Sequence, residues 1–366
     1  MHRIFLLLTT TLLFGCNAEK TTPNVDETLH SDIAPDEHVV FFQTSGWLDE
    51  DTQEWNLPIH GWIYEPQDST ARKSLFEAVL VGQFDLFVDE STEANFSERL
   101  NLLIADNERN KQIVVELAGQ VFELPLSREN GHFQTVLRLP EADLAKFVQE
   151  GRLPYSAVTH ESDDRTFDGE LSLVSPTGLS IISDIDDTVK ISNVSDHKLL
   201  IENAFLLDFT AAPGMAILFE QWSEKDASFH FVSSSPWQLY TPLQEFLDDS
   251  GFPWATFNLK AVRFRDETLF NLFKKGTETK PILIKSILDR YPGRSFILVG
   301  DSGEQDPEVY ASLLREYPDQ VSTVYIRNVT QATVDDERFS ALFREIDSNR
   351  WHLFDDPGQL HAQDSE

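Results

Sequence analysis

Two rhythms of apolar residues divide the chain. Over residues 39–174 short strand-like runs dominate: HVVFFQT (38–44), EWNLPIHGWIY (54–64), RLNLLIAD (99–106), KQIVVELAG (111–119), HFQTVLRL (132–139), LPYSAVTH (153–160) and TFDGELSLV (166–174). Turn-rich or polar stretches separate them, which predicts a β-rich unit of sandwich type. Helices are expected to interrupt it at SLFEAVLVGQF (74–84) and EADLAKFVQE (141–150). His60, inside a strand-like run, reads as a core or turn residue rather than a metal ligand. After Gly178 the pattern changes to continuously apolar runs, LSIIS, FHFVSSS, SFILVGDS and VSTVYIRN, alternating with amphipathic stretches such as GMAILFEQWSE and PILIKSILDRY. Buried parallel strands alternating with helices predict an α/β unit with a doubly wound sheet, whose ligands bind beyond the carboxyl ends of the strands.

Ahead of both units, His2 and Arg3 precede an apolar run from Ile4 to Phe14, then Gly15 and Cys16. The run is too short to span a bilayer and suits a secretory signal. Its end, Leu13-Phe14-Gly15-Cys16, resembles the bacterial lipobox, in which cleavage leaves a lipid-bearing amino-terminal cysteine. Cys16 is the chain's one cysteine, so no intramolecular disulfide forms. Residues 17–38 are polar, acidic and aperiodic, and read as a disordered tether. The divisions expected are therefore a signal at 1–15, lipidated Cys16 and tether at 16–38, a β-rich domain at 39–175, an α/β catalytic domain at 176–350 and an acidic tail at 351–366. The place implied is a bacterial cell envelope, with the chain held at the membrane by its lipid.

Charge narrows the partners. With 29 Lys+Arg against 62 Asp+Glu the formal net charge is -33, which repels nucleic acid and opposes docking on an anionic bilayer. A covalent anchor weakens the second objection by raising local concentration without attraction.

Candidate chemistry gathers at the strand ends of the second unit. The first run ends in Asp184-Ile185-Asp186-Asp187-Thr188. Two carboxylates two residues apart can divide the work, one attacking phosphorus and the other carrying a proton to the leaving oxygen and then from water. Their repulsion would help keep a proton on Asp186. FHFVSSS ends in Ser233, Ser234 and Ser235, whose hydroxyl and N–H groups can hold phosphate oxygens, although serines also punctuate turns. Lys280, with Lys285 as the alternative, could neutralise developing charge. Asp301 closes another apolar run and Asp306 follows around a glycine-containing loop, an arrangement of hard oxygen ligands suited to Mg²⁺. Asp187 has no chemical role in this scheme.

In this order, Asp184-x-Asp186-x-Thr188, Ser233, Lys280 and Asp301 with Asp306 resemble the four motifs of haloacid-dehalogenase-superfamily (HAD-like) phosphatases. GLSIISDIDDTVK, HFVSSSPWQLY, ILVGDSGEQDPEVY and VYIRNV are similar to the catalytic domain of the actin-patch-associated phosphatidate phosphatases, a lipin-like group, and WNLPIHGWIYEP and GHFQTVLRL to its amino-proximal β-rich region. The resemblance implies that Asp184 is the nucleophile and a Mg²⁺ ligand, and that Asp186 is the acid/base and a ligand through its carbonyl. It further implies that Thr188 shapes the loop, Ser233 with Ser234 binds substrate phosphate, Lys280 is the active-site lysine, and Asp301 and Asp306 complete the metal site. Thr279 stands where family members often have histidine before this lysine. Residues 191–213 occupy the place of a small cap or substrate-facing loop. The implied reaction is Mg²⁺-dependent hydrolysis of phosphatidate, or a related lipid phosphate, to diacylglycerol and phosphate. Another phosphomonoester substrate and a non-catalytic phosphatidate-binding lipoprotein are the alternatives; the presence of both Asp184 and Asp186 favours catalysis.

Overall fold

A computed structural model of the chain describes residues 29–66, 70–261 and 279–362. The apolar leader, Cys16 and the tether as far as residue 28 lie outside the described residues, as do residues 363–366 of the expected tail.

The first unit opens with β1 (His38–Phe41), β2 (Thr44–Asp49) and β3 (Glu54–Glu65). It continues with β4 (Asp106–Asn107), β5 (Val114–Leu117), β6 (Gln120–Glu123), β7 (His132–Pro140), β8 (Arg152–Ala157) and β9 (Asp168–Val174). Backbone hydrogen bonds join these nine strands into one network in the order β1-β3-β2-β9-β8-β5-β6, with β4 and β7 also on β3. Only β2 with β9 is parallel. Alternate residues of β3, Trp55, Leu57 and Ile59, enter a core with Leu117, Leu153 and Leu171. Gly61 is required where β3 passes Phe133, because a Cβ there would run into that ring and into the Val40 carbonyl.

Three expectations are corrected in or beside this unit. Residues 99–106 belong mostly to a helix, Glu93–Ile104, with Phe96, Leu100 and Leu103 buried on one face at helical spacing. The helix expected at 141–150 stops at Leu144. Residues 31–37 are no disordered tether: Ser31 Oγ donates to the Val114 carbonyl at 3.0 Å and accepts the Val114 N–H at 2.9 Å, while buried Glu37 meets Lys111 at 2.7 Å. Their polar composition suits them to pairing with buried backbone.

The second unit is a six-stranded sheet, parallel throughout, in the order β12-β11-β10-β13-β14-β15. Its strands are β10 (Gly178–Ser183), β11 (Ser228–Pro236), β12 (Ala255–Lys260), β13 (Arg294–Asp301), β14 (Val321–Arg327) and β15 (Trp351–Phe354). Both faces are covered, which is why the strands read as unbroken apolar runs. Ile181, Phe231 and Val299 face the helices Met215–Ser223 and Tyr240–Asp249; Ile182, Val232 and Leu298 face Thr279–Arg290 and Asp306–Glu316. β15 overturns the acidic tail expected from residue 351, because Trp351 and Leu353 pack against one core cluster and Phe354 enters another.

The units share a core. Phe42 and Trp62 lie in the same apolar cluster as Trp237 and Tyr240, and the Tyr291 hydroxyl donates to Ser45 Oγ at 2.7 Å. From β10 the chain winds toward β11 and β12, whereas β13 leads the other way to β14 and β15. The carboxyl ends of β10 and β13 therefore flank a topological switch point, where backbone groups diverge and leave a crevice.

Candidate active site

Asp184 follows β10 and Asp301 ends β13, so both carboxylates stand at that crevice. Both are buried. Asp184 Oδ1 lies 3.1 Å from Lys280 Nζ. Asp301 Oδ1 accepts the N–H groups of Gly303 (2.6 Å) and Glu304 (3.0 Å). The second oxygens, Asp184 Oδ2 and Asp301 Oδ2, have no partner among the described residues. Asp184, Asp301 and Glu304 each present an oxygen within 4.8 Å of the others. Buried carboxylate oxygens without donors are costly, and three converging hard donors fit a divalent cation such as Mg²⁺.

Lys280 links the cluster, pairing also with Asp306 and standing 3.8 Å from Glu304 Oε2. Lys285 instead meets Glu316 at 2.6 Å on the surface, so the structure brings Lys280 to the crevice. Asp306, expected as a ligand, is otherwise engaged: Oδ1 takes Lys280 and Oδ2 accepts the Asp301 N–H at 3.3 Å. Gly300 permits this, since a Cβ there would overlap Asp306 Oδ2. Burial pushes Asp184 well above the usual carboxylate range; Lys280 pulls it down, and Asp306, Glu304 and Asp301 push it up again. Asp301 is raised by burial and then by Asp306 and Glu304. Burial works against charge on Lys280, but Asp184 and Asp306 outweigh it and fix the ammonium.

Asp186 occupies a separate polar niche, and its side chain is outside the converging set. Lys190 Nζ lies 2.9 Å from Oδ1, which also accepts Ser192 Oγ at 2.7 Å; Oδ2 accepts Ser235 Oγ at 2.8 Å and Ser233 Oγ at 3.2 Å. Burial raises this carboxyl, yet Lys190 and the hydroxyls more than offset it and hold the group at about 2. The expectation that charge crowding keeps a proton on Asp186 is reversed in this arrangement, because the sequence spacing showed the neighbouring acids but not the lysine. Ser235, not Ser234, accompanies Ser233 onto Asp186. Thr188 is fully buried with its hydroxyl unpartnered among the described residues.

Asp187 acts on the backbone. Its Oδ1 accepts the N–H groups of Ser192 and Asn193, both at 2.8 Å, and Oδ2 that of Val194 at 2.7 Å; Arg327 donates to its carbonyl at 2.7 Å. The residue itself is left-handed, φ 54°, a conformation Asp tolerates better than most. This clamp sets the loop that carries Lys190 and Ser192 back over Asp186.

A contact from the first unit reaches the same niche. Arg99, on the helix Glu93–Ile104, donates to the carbonyls of Ala204 (3.2 Å) and Leu207 (2.8 Å) and lies 3.8 Å over the Phe209 ring. Lys190 Nζ lies 5.0 Å from the centre of that ring. Glu304, Lys190 and Ser192 were missed in the sequence, and Ser235 was read there as a holder of phosphate oxygens, not as a partner of Asp186. Glu304 had a signal, an acid within the loop after Asp301; Lys190 and Ser192 had only nearness to the acidic motif.

Comparison with known proteins bears on this cluster. Residues 179–328 match the family model "Phosphatidate phosphatase APP1, catalytic domain". The segment is APP1-like. It contains all the clustered residues from Asp184 to Asp306. Phosphatidate phosphatase APP1 of Saccharomyces cerevisiae is 32% identical over 166 residues, covering 44% of this chain and 28% of the yeast protein. The Schizosaccharomyces pombe protein C29B5.04c, which carries no described function, is 29% identical over 168 residues, covering 45% and 27%. The chain thus spans under a third of the length of these curated relatives. A solved Thermotoga maritima structure described as a beta-phosphoglucomutase aligns over 51% of this chain and 99% of its own, at 11% identity and a TM-score of 0.31.

Proposed function

We propose that the chain is a metal-dependent phosphatase that cleaves phosphatidate to diacylglycerol and phosphate through the APP1-like segment. The observation that carries the reading is buried Asp184, held by Lys280 where Asp301 and Glu304 converge, two residues before Asp186 in its own niche of hydroxyls. Mg²⁺ held by Asp184, Asp301 and Glu304 would supply the positive charge that keeps Asp184 ionised and offsets that of the phosphoryl group. Asp184 forms a bond to phosphorus as the bond to the glycerol oxygen breaks, and Asp186 gives its proton to that oxygen. Water then attacks the aspartyl-phosphate, Asp186 takes the water's proton, and the bond to Asp184 breaks to release phosphate. Asp186 must hold a proton before the first half, whereas its contacts with Lys190 and the hydroxyls favour the ionised form, the one that takes the water's proton in the second half. Ser233 and Lys280 border the place the phosphoryl group would take, and exposed Leu199 and Leu207 could meet acyl chains.

The net charge of -33 favours a second reading, a soluble phosphomonoester as substrate. Phosphate release by the detergent-solubilised chain, with phosphatidate and soluble esters compared in Mg²⁺ or EDTA, separates the two. EDTA and Asp184→Asn should each lower turnover by about 10³-fold or more, the scale on which catalytic groups contribute. Full activity in either sinks the mechanism, and equal rates on soluble esters sink the lipid assignment.

The reading includes a lipid on Cys16 and a place in a bacterial envelope. No helix among the described residues is long and apolar enough to cross a membrane. Expression in a bacterial host with labelled palmitate should label the chain but not Cys16→Ser; equal labelling of the two would rule the anchor out.

A further inference from the structure

A cavity of about 360 Å³ lies at the seam between the units, away from the acidic crevice. It is at the small end of the range for small-molecule sites. Its floor is apolar: Ile59 from β3, Phe257 from β12, and Trp237 and Ile287 are all buried. Two guanidinium groups line it, Arg128 from the turn before β7 and Arg290 from the end of the helix Thr279–Arg290. Among the described residues no carboxylate does, in a chain where acids outnumber bases 62 to 29.

Thr44, Ser45, Thr256 and Asn258 in the wall are hydrogen-bonded within the protein, and Arg290 stands beside the Tyr291 hydroxyl, but other polar side chains there are not so engaged. The side chains of Arg128, Gln134 and Thr135 have no hydrogen-bond partner among the described residues, and Arg290 lies 4.7 Å over the Trp47 ring without a carboxylate partner. His60, also in the wall, spends its Nε2 on His132 Nδ1 at 3.0 Å, so the positive charge comes from the two arginines. Guanidinium groups bind phosphate or carboxylate oxygens in pairs, and an apolar floor beneath them accepts a hydrocarbon or aromatic body.

We propose that this seam cavity is a second binding site, for a small organic anion whose phosphate- or carboxylate-type head meets Arg128 and Arg290 and whose apolar body lies on Trp237 and Phe257. The site does not depend on the phosphatase reading. An occupant would touch both units, packing on Trp237 two residues beyond Ser235, which holds Asp186.

Calorimetric titration of the full chain with phenylphosphonate, which has no ester bond to cleave, tests it in EDTA. Saturable binding is expected in the unaltered chain and in Asp184→Asn. Arg128→Gln and Val136→Glu, both at exposed positions, should weaken it roughly tenfold or more through a lost or opposed charge. Inorganic phosphate should bind at least roughly tenfold more weakly, lacking the apolar body. Unchanged affinity in both pocket variants overturns the proposal, as does binding lost in Asp184→Asn alone or equal affinity for inorganic phosphate. Phosphate release in the earlier assay tells separately whether the phosphatase reading stands.

Discussion

Lys190 is buried beside an anion that already accepts three hydroxyl groups, so its charge is committed to Asp186. Removing one member of a buried pair leaves the other uncompensated, which costs far more than the pair is worth. Lys190→Met should therefore destabilise the fold by about 3–5 kcal/mol, read from urea unfolding. Adding Asp186→Asn to that variant should recover much of the loss, because the stranded charge goes with it. Equal instability of the single and double variants would show that Lys190 contributes through packing alone.

The helix Glu93–Ile104 ties the first unit to the acid/base niche. Truncating Arg99 strands the carbonyls of Ala204 and Leu207 and frees the Phe209 ring that rests against Lys190. Arg99→Met is expected to cost about 2–6 kcal/mol, from two carbonyls at about 1–3 kcal/mol each. It should also lower kcat on any phosphomonoester; wild-type kcat in the folded variant would show that the helix holds the loop without bearing on Asp186. This helix was hidden in the sequence because RLNLLIAD packs its apolar residues densely enough to pass for a strand. The second sheet was legible for the opposite reason. Strands buried on both faces must be apolar throughout, so an acid or serine at the ends of β10, β11 and β13 stands out. The same logic failed for Glu304, which lies inside a loop, and for Lys190, whose partner is set by the Asp187 clamp and not by spacing.

For the whole molecule, acid is the expected weakness. Two buried imidazoles, His132 and His230, and the half-buried His60 are held neutral. Burial lowers His230 to about 3 and His132 to about 4, with nearby arginines adding to it, and burial followed by His132 and Arg128 takes His60 well down. Their folded values lie below the unfolded one, so the stability they represent is complete above about pH 6.5 and is lost as pH falls through that value toward 4 and 3. Each should contribute about 1.4 kcal/mol per pH unit over its range. Replacing His230 with Gln should flatten the slope of unfolding free energy between pH 6 and 4.5 by about that amount; an unchanged slope would mean that His230 takes up its proton in the folded state. The seam shared by the two units means that acid should unfold them together, as one transition by fluorescence and circular dichroism.

Asp187 carries a lesson for genetics. A mutational scan scored by activity alone would rank it with Asp184 and Asp186, since a loop without its three N–H contacts misplaces Lys190 and Ser192. Scored by the abundance of folded protein, the ranking would split: Asp187 substitutions would be depleted, while Asp184→Asn, relieved of a buried charge, would persist. Of three crowded acids, the one without chemistry is the one on which the cell's quality control would act first.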